Sequence, residues 1–497
     1  MTLRYVTGSA DPPSDRVPPV REAEGGPDRT GRLIWIGPSL ATLAVVLTGI
    51  GHAQPWRDEL ATWSAASRPL GDLVRLAGTI DAATSPYYLF MHAWVAVFGD
   101  SVTALRLPAA LAMAATAGLT AVLGQRLVGA RVGLLAGLLF AVLPGTSRYG
   151  QEARPYALAT FLAVLATLLL VEALARPGWT RWAGYAVAVA ALGLTHLVAL
   201  TLLAAHAVTV LATRRTGPGN RPLRWVLALL PTVLLLTPLV LLARGQRSRQ
   251  LGWVETARPD DLAALAGGVA QSGVVGGLLV GLAALGAARL GRRALLPGLA
   301  VLLPVLLLFA AGLVVPLWVP RYLVFVVPFA CLLAGAALAT VPLPPALAVV
   351  ALAGLLGLPD QASLRRTHEW PRSATVDYRG AARIVADGQR PGDVIVYSPR
   401  ESWFFLDLGL AYHLGDRRPR DVLVTEDQAR RGDLWAAECA RPAECLAGMD
   451  RVWLVVTGRR EDPLAAVPGA KGDALRADFT VERVWPRPGL TVALLTR

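Results

Sequence analysis

The chain has 497 residues, of which 54% are hydrophobic and only 17% charged, with a mean hydropathy of +0.49. Soluble domains carry about a quarter charged residues, so this balance excludes a soluble globular protein and implies a membrane protein. The formal charge of +13 does not indicate nucleic acid, because its arginines punctuate apolar runs, which is how orientation in a bilayer is encoded.

The charge is unevenly divided. Residues 1–359 hold 27 Lys+Arg against 15 Asp+Glu, whereas residues 360–497 hold 21 against 20, so the excess belongs to the apolar part. Residues 1–31, rich in Pro, Gly and balanced charge, cannot bury a core and are expected to form a disordered cytoplasmic N-terminus. They are too long and too acidic for a signal-peptide n-region, so the apolar run from Leu33 reads as an uncleaved anchor.

Apolar runs able to cross about 30 Å of hydrocarbon recur over residues 32–359. Arginine-bearing turns set their register and predict eleven spans, at 33–51, 103–124, 132–146, 156–175, 182–195, 197–213, 225–243, 270–288, 295–315, 322–340 and 345–358. The stretch "SPYYLFMHAWVAVFG", 85–99, is too short to span and predicts a helix lying in the outer interface, with Tyr87, Tyr88 and Trp94 in the aromatic belt. With the N-terminus inside, inner and outer connections carry as many arginines as each other, but the inner ones are short, with Glu172 as their only acid, while the outer ones are long and hold nine acids, so density favours this orientation. Asp58, Glu59, Glu152, His196, Arg321 and everything after 360 then fall on the outer side.

From Asp360 the apolar period changes. Segments 392–399, 450–458, 479–485 and 491–497 read as short strands, and 378–389 and 425–438 as helices, giving a small extracytoplasmic α/β domain over 360–497. Cys331 lies within an apolar span and reads as a core residue. Cys439 and Cys445, in "CARPAEC", sit in a compartment that permits disulfides and have no third Cys or His nearby, so they are expected to bridge.

Two clusters carry ionisable chemistry. In "QPWRDELATW", 54–63, Asp58 and Glu59 follow Arg57 just after the first span. A carboxylate at a membrane surface serves as a general base when partial burial raises its pKa, and equally it caps a helix N-terminus. In "SRYGQEARPYAL", 147–158, Arg148 and Arg154 offer forked donors suited to a phosphate, beside Glu152. The same three residues also make a self-satisfying salt bridge, or snorkel to lipid headgroups. The convergence of both clusters with His196 and with Arg321 of "PRYL" on one face favours a site. An arginine between apolar spans needs a partner or a phosphate, whereas a lone histidine is more often a hydrogen-bonded loop residue.

In chain order, "WRDELAT", "TSPYYLFMHAWVAVFGDSVTALRLPAAL", "SRYGQEARPYAL" and "PRYLVFVVPFACLLAG" resemble the GT-C polytopic glycosyltransferases, in the branch of protein O-mannosyltransferases and the lipid A aminoarabinose transferase. The resemblance covers about 33–360 and extends weakly into "VDYRGAARIVADGQRPGDVIVYSP". It implies a sugar donor on a polyprenyl phosphate, membrane lipid as surroundings, an outer-face site and an inverting displacement on an acceptor hydroxyl of a protein, lipid or glycan. The family's first-loop acid falls on Asp58 as the general base, with Glu59 supporting it. Its second-loop acid, commonly aspartate, is Glu152 here, a departure that leaves two roles open: contact with the substrate or a metal, or holding Arg154. Arg148, Arg154 and Arg321 then stabilise the leaving phosphate, and Arg57, Tyr149, Tyr156, His196 and Tyr322 bind substrate. A divalent cation is compatible with these acids, but no ligand set is strong enough to assign one. A transporter or flippase of a lipid-linked sugar is the competing reading, yet it would place ionisable residues at midplane rather than at outer span ends.

Overall fold

Apolar sequence without water must satisfy its backbone internally, and over the first three quarters of the chain it does so as helix. The computed structural model describes residues 33–176, 178–213, 220–369 and 374–497; the segment 1–31, expected to be disordered, lies outside them. The helices are α1 (Ile36–Leu47), α2 (Arg57–Ala66), α3 (Leu70–Thr79), α4 (Ser85–Phe98), α5 (Val102–Leu127), α6 (Ala130–Val142), α7 (Pro144–Gly150), α8 (Tyr156–Ala175), α9 (Trp179–Thr195), α10 (Leu202–Ala212), α11 (Arg221–Gln250), α12 (Pro259–Ala270), α13 (Gly273–Leu290), α14 (Leu295–Gly312), α15 (Val327–Leu338) and α16 (Leu343–Leu364).

Each of the eleven expected spans falls on a helix, but length and apolarity support fewer crossings. Among the described residues six helical stretches are long and apolar enough to cross a membrane, or seven when α6 and α7, bent by 67°, count as one. The first expected span is a helix of only 12 residues, and the stretch 273–312 holds two helices separated at Gly291, whose φ of +54° turns the chain out of helical geometry. The 85–99 stretch is the 14-residue helix α4, with Tyr87, Tyr88 and Met91 buried and Phe98 exposed.

Hydroxyls inside the apolar helices are satisfied locally. Thr116, Thr120, Thr160 and Thr167 each donate to the carbonyl four residues back. Small residues let helices approach: a Cβ on Gly133 of α6 would strike the Ala121 carbonyl of α5, so glycine there sets the contact distance. The outward face of α11, including Val233, Leu234 and Leu241, is exposed and apolar, as a lipid-facing surface is.

Beyond α16, which runs six residues past its expected end, the chain forms a five-stranded mixed sheet in the order β2-β1-β5-β7-β6. Its strands are β1 (Val394–Ser398), β2 (Arg420–Asp421), β5 (Arg451–Thr457), β6 (Thr480–Arg487) and β7 (Leu490–Thr496), with α17 (Tyr378–Gly388), α18 (Leu406–Leu414), α19 (Pro442–Cys445) and α20 (Gly469–Asp478) around it. β1 runs parallel to β2 and β5, and β7 pairs antiparallel with β5 and β6. The helix expected over 425–438 is absent. Asp427 Oδ1 accepts from the Ala429 and Arg430 amides, and Gly432 sits at φ +63°, so the segment turns between β3 (Val424–Glu426) and β4 (Ala437–Glu438). Cys439 and Cys445 are joined by a disulfide, and Cys331 is buried and free.

The helical and sheet parts belong to one compact unit, Ile34–Arg497. Arg249 at the end of α11 pairs with Asp433 at 2.6 Å, and Arg68 after α2 donates to the Gln428 carbonyl at 3.2 Å. The sheet part is therefore held over the loop that carries Asp58.

Candidate active site

The first loop is built around a buried carboxylate. Glu59, 1% exposed, caps α2 by accepting from the Trp56 amide at 3.3 Å. It also accepts from Arg106 Nε at 2.8 Å and Nη2 at 2.7 Å, and from the Ala153 amide at 2.9 Å. Burial alone would raise its pKa, but the Arg106 guanidinium overrides it and holds the carboxyl well below the ordinary range. Arg106 Nη1 donates to the Ile50 and Ala53 carbonyls. One ion pair thus ties α2 to α5, to the end of the first helix and to the second loop. Glu59, expected to support Asp58, has both oxygens committed to the scaffold and does not line the cavity beside it.

Asp58, one residue earlier on α2, points the other way. Its carboxylate lines a cavity of about 640 Å³ and lies 3.4 Å from Arg321 Nη2. Arg321 also donates from Nε to the Tyr156 hydroxyl at 3.1 Å and lies over the rings of Trp56 and Trp253. Arg57, Arg154, Tyr322 and Asp81 line the same cavity. Asp81 has left-handed backbone, φ +61°, and accepts from Thr84 at 2.7 Å and from Tyr88 and Gln250.

A second cavity of about 530 Å³ adjoins the first, sharing Arg154, Gln250, Leu251 and Tyr322 with it. Its lining includes Tyr156, His196, Arg244 and Arg247 with an apolar wall from Leu197, Val198, Val240 and Leu317, and no acid. His196 packs edge-on against Tyr156 and Tyr322, and burial lowers its pKa to about 4. It is neutral near pH 7.

Arg154 stands where the two cavities meet. Its hydrogen bonds among the described residues are long and go to neutral oxygens: Tyr88 OH at 3.3 Å, and the Asp58 carbonyl and Thr62 hydroxyl at 3.5 Å. Its Nε is buried without a hydrogen-bond partner among the described residues. The guanidinium therefore retains donors for an incoming oxyanion.

Arg148 and Glu152 are arranged otherwise. Arg148 Nη1 lies 3.0 Å from Glu152 Oε2, and its Nη2 donates to the His368 carbonyl at 2.7 Å. The Arg148 guanidinium stacks over Trp56 at 5.1 Å. Burial raises the Glu152 pKa, Arg148 opposes it, and Glu59 and Asp58 add to the rise. Glu152 is buried and lines neither large cavity. It partners Arg148, which corrects the alternative in which it holds Arg154. Arg148 and Tyr149 face only a small recess of about 30 Å³ beside Arg321. Behind them, His368 lies 3.9 Å from Glu59, with its pKa lowered to about 3 by burial. Glu369, 3.6 Å from Arg57, has its pKa raised to about 7 by burial against the pull of Arg57.

Sequence reasoning brings Asp58, Arg57, Arg154, Arg321, Tyr156, Tyr322 and His196 to these two cavities. It missed Asp81, Gln250, Arg244 and Arg247, and it missed the sheet part's contribution of Pro399 to Phe405 to the first cavity. Among the described residues no group of three or more His, Cys, Asp or Glu side chains gathers as a metal site.

Residues 85–241 match the family model described as dolichyl-phosphate-mannose-protein mannosyltransferase. A search of curated proteins finds no match. In overall structure the chain is similar to ArnT from Cupriavidus metallidurans in the apo state, with a TM-score of 0.64 and 16% identity over 94% of this chain and 98% of that one. The same protein bound to undecaprenyl phosphate gives 0.59, again at 16% identity and with the same coverage. The arabinofuranosyltransferase AftD from Mycobacteria gives 0.51 at 18% identity, over 94% of this chain and 40% of that one. The chain thus carries the fold of the polytopic GT-C glycosyltransferases.

Proposed function

We propose that the protein is a multi-pass membrane glycosyltransferase of the bacterial inner membrane. It moves a sugar from a polyprenyl-phosphate donor to an acceptor hydroxyl at the outer face. The observation that carries this reading is the division of charge about Arg154: an acid-bearing chamber with Asp58 on one side, and a basic, apolar-walled chamber free of lining acids on the other. A prenyl phosphate matches the second chamber, with its chain on the apolar wall and its phosphate on Arg154, Arg244 and Arg247. The sugar then lies toward Asp58. Similarity to a structure holding undecaprenyl phosphate supports the same assignment.

Asp58 takes the proton of the acceptor hydroxyl as its oxygen bonds to the anomeric carbon. The bond from that carbon to the phosphate oxygen breaks, the electron pair leaves on the polyprenyl phosphate, and configuration inverts. Arg154 and Arg321 meet the charge that develops there, in a site partly shielded from water. Mannose is the sugar favoured by the matched family model. The outer-face assignment follows from the arginine-dense inner turns and places the sheet part outside the cytoplasm with the N-terminus within, over the eleven expected spans.

The test is transfer of label from polyprenyl-phosphate mannose in membranes holding wild type or Asp58→Asn at matched expression. Wild type should transfer and the variant should bind donor with turnover reduced about 10²–10⁴-fold. Normal turnover by the variant would reduce Asp58 to a partner of Arg321. Donor binding and translocation without transfer by wild type would favour a flippase.

A further inference from the structure

The sheet part does more than cover the first cavity. The segment Pro399 to Phe405, between β1 and α18, supplies Trp403, Phe404 and Phe405 to the lining of the chamber that holds Asp58, and none of it lines the basic chamber. Trp403 and Phe404 are half-buried, so their rings stay open to a cavity that also holds Asp58, Arg57 and Arg321.

The segment is held rigidly in that pose. Arg400 is almost fully buried and pairs with Asp421 at 2.7 Å, Glu438 at 2.9 Å and Asp407 at 3.3 Å, anchoring the segment to β2, β4 and α18. Trp403 meets Trp435 edge-on at 4.9 Å, and Trp435 Nε1 donates to the Ser402 carbonyl at 3.0 Å. Phe405 adopts φ +46°, ψ +51°, a left-handed conformation that bulky side chains rarely take. Such backbone persists where the surroundings over-determine it, and it clusters at ligand clamps. From the helical side, Arg57 lies over Phe404 at 5.7 Å, and Trp253 faces the same cavity.

A rigid aromatic face beside acids and arginines suits a ligand with an apolar face and a hydroxylated rim, which is the chemistry of a saturated sugar ring. We propose that Trp403 and Phe404 form a sugar-binding platform in the Asp58 chamber, supplied by the sheet part. The proposal rests on the glycosyltransferase reading above, and the ring comes either from the donor or from a glycan acceptor.

The test uses the full chain in nanodiscs and equilibrium binding of farnesyl phosphate, of farnesyl phosphate bearing mannose or arabinose, and of the methyl glycosides of both sugars. Wild type should prefer at least one sugar-bearing probe to farnesyl phosphate, or bind at least one free glycoside. Trp403→Ala/Phe404→Ala should lose about tenfold in that sugar-dependent affinity while farnesyl phosphate binds unchanged. Loss confined to the glycosylated phosphates assigns the platform to the donor sugar, and loss confined to free glycosides assigns it to the acceptor. Trp403→Tyr, which keeps an aromatic face, should retain most of the effect and guards against misfolding. No sugar-dependent affinity in wild type, or none lost in the double variant, overturns the platform. Failure of wild type to bind farnesyl phosphate removes the donor reading instead, and a glycoside affinity abolished by the double variant would still uphold the platform.

Discussion

Asp58 and Glu59 are adjacent acids, and the structure predicts opposite consequences for removing their charges. Glu59→Gln leaves Arg106, 1% exposed, without the carboxylate that accepts from its Nε and Nη2. Breaking a buried ion pair from one side costs about 3–5 kcal/mol, because the remaining charge stays buried. The Asp58–Arg321 pair is longer, at 3.4 Å, and opens onto the cavity, and without it Arg321 keeps its bond to the Tyr156 hydroxyl and its place over Trp56 and Trp253, so losing this carboxylate costs less than losing that of Glu59. Glu59→Gln should therefore lower the thermal unfolding midpoint of the purified protein by many degrees and reduce its yield, whereas Asp58→Asn should unfold near wild type while transfer falls about 10²–10⁴-fold. Tryptophan fluorescence on heating, with donor transfer measured on the surviving folded fraction, separates the two. A Glu59→Gln protein as stable as wild type but unable to transfer would refute the assignment, and would move the general base one residue along the helix.

The basic chamber predicts a kinetic division. Arg244→Gln and Arg247→Gln should raise the donor KM with kcat largely kept, while Arg154→Gln, facing both chambers, should lower kcat as well, as steady-state transfer would show. Glu369 gives a pH dependence. Its carboxyl binds a proton more tightly folded than unfolded, with its pKa raised from 4.5 to about 7, so it costs stability as pH rises through that window, roughly 3 kcal/mol in all. Glu369→Gln should raise stability at pH 8 and flatten the unfolding profile between pH 4.5 and 7. Replacing Cys439 and Cys445 by serine opens a loop of five intervening residues, worth about 2 kcal/mol on chain-entropy grounds. The sheet part should then melt earlier, seen by near-UV dichroism, with donor binding unchanged.

Much of this arrangement is legible in the sequence, for a physical reason. Asp58, Arg154 and Arg321 are ionisable groups beside apolar helices, where charge is costly, so their presence marks function or a partner. What separates a catalytic acid from a structural one is the neighbour, and neighbours are not local. Glu59 differs from Asp58 only through Arg106, which is 47 positions away on α5. Arg106 itself left a signal, an arginine near the start of an otherwise apolar run. Arg244 and Arg247 were hidden by the assumption that an arginine ends a span. Arginine is a good helix former, and α11 continues to Gln250, carrying both residues to the second chamber. Asp427 and Gly432 defeated the helix expected near 430, because an Asx turn outweighs helical periodicity over so short a segment.

The ionisable residues gathered in "SRYGQEARPY" divide between two tasks, and the division follows from the turn itself. Arg148 lies on α7 and faces inward, where Glu152 and the His368 carbonyl occupy its donors and Trp56 covers its face. That packing fixes the wall against which the first loop rests. Arg154 follows after the turn and just before α8 begins, where its hydrogen bonds among the described residues go to neutral oxygens. A cation held in place but only weakly partnered binds an anion without first breaking a salt bridge, so its favourable interaction is available to the phosphate. Giving Arg154 a carboxylate through Thr62→Asp, which nearly keeps the volume of this fully buried residue, should weaken donor binding while leaving the Arg148–Glu152 pair in place. Unchanged donor affinity in that variant would show that the phosphate is held by Arg244 and Arg247 alone.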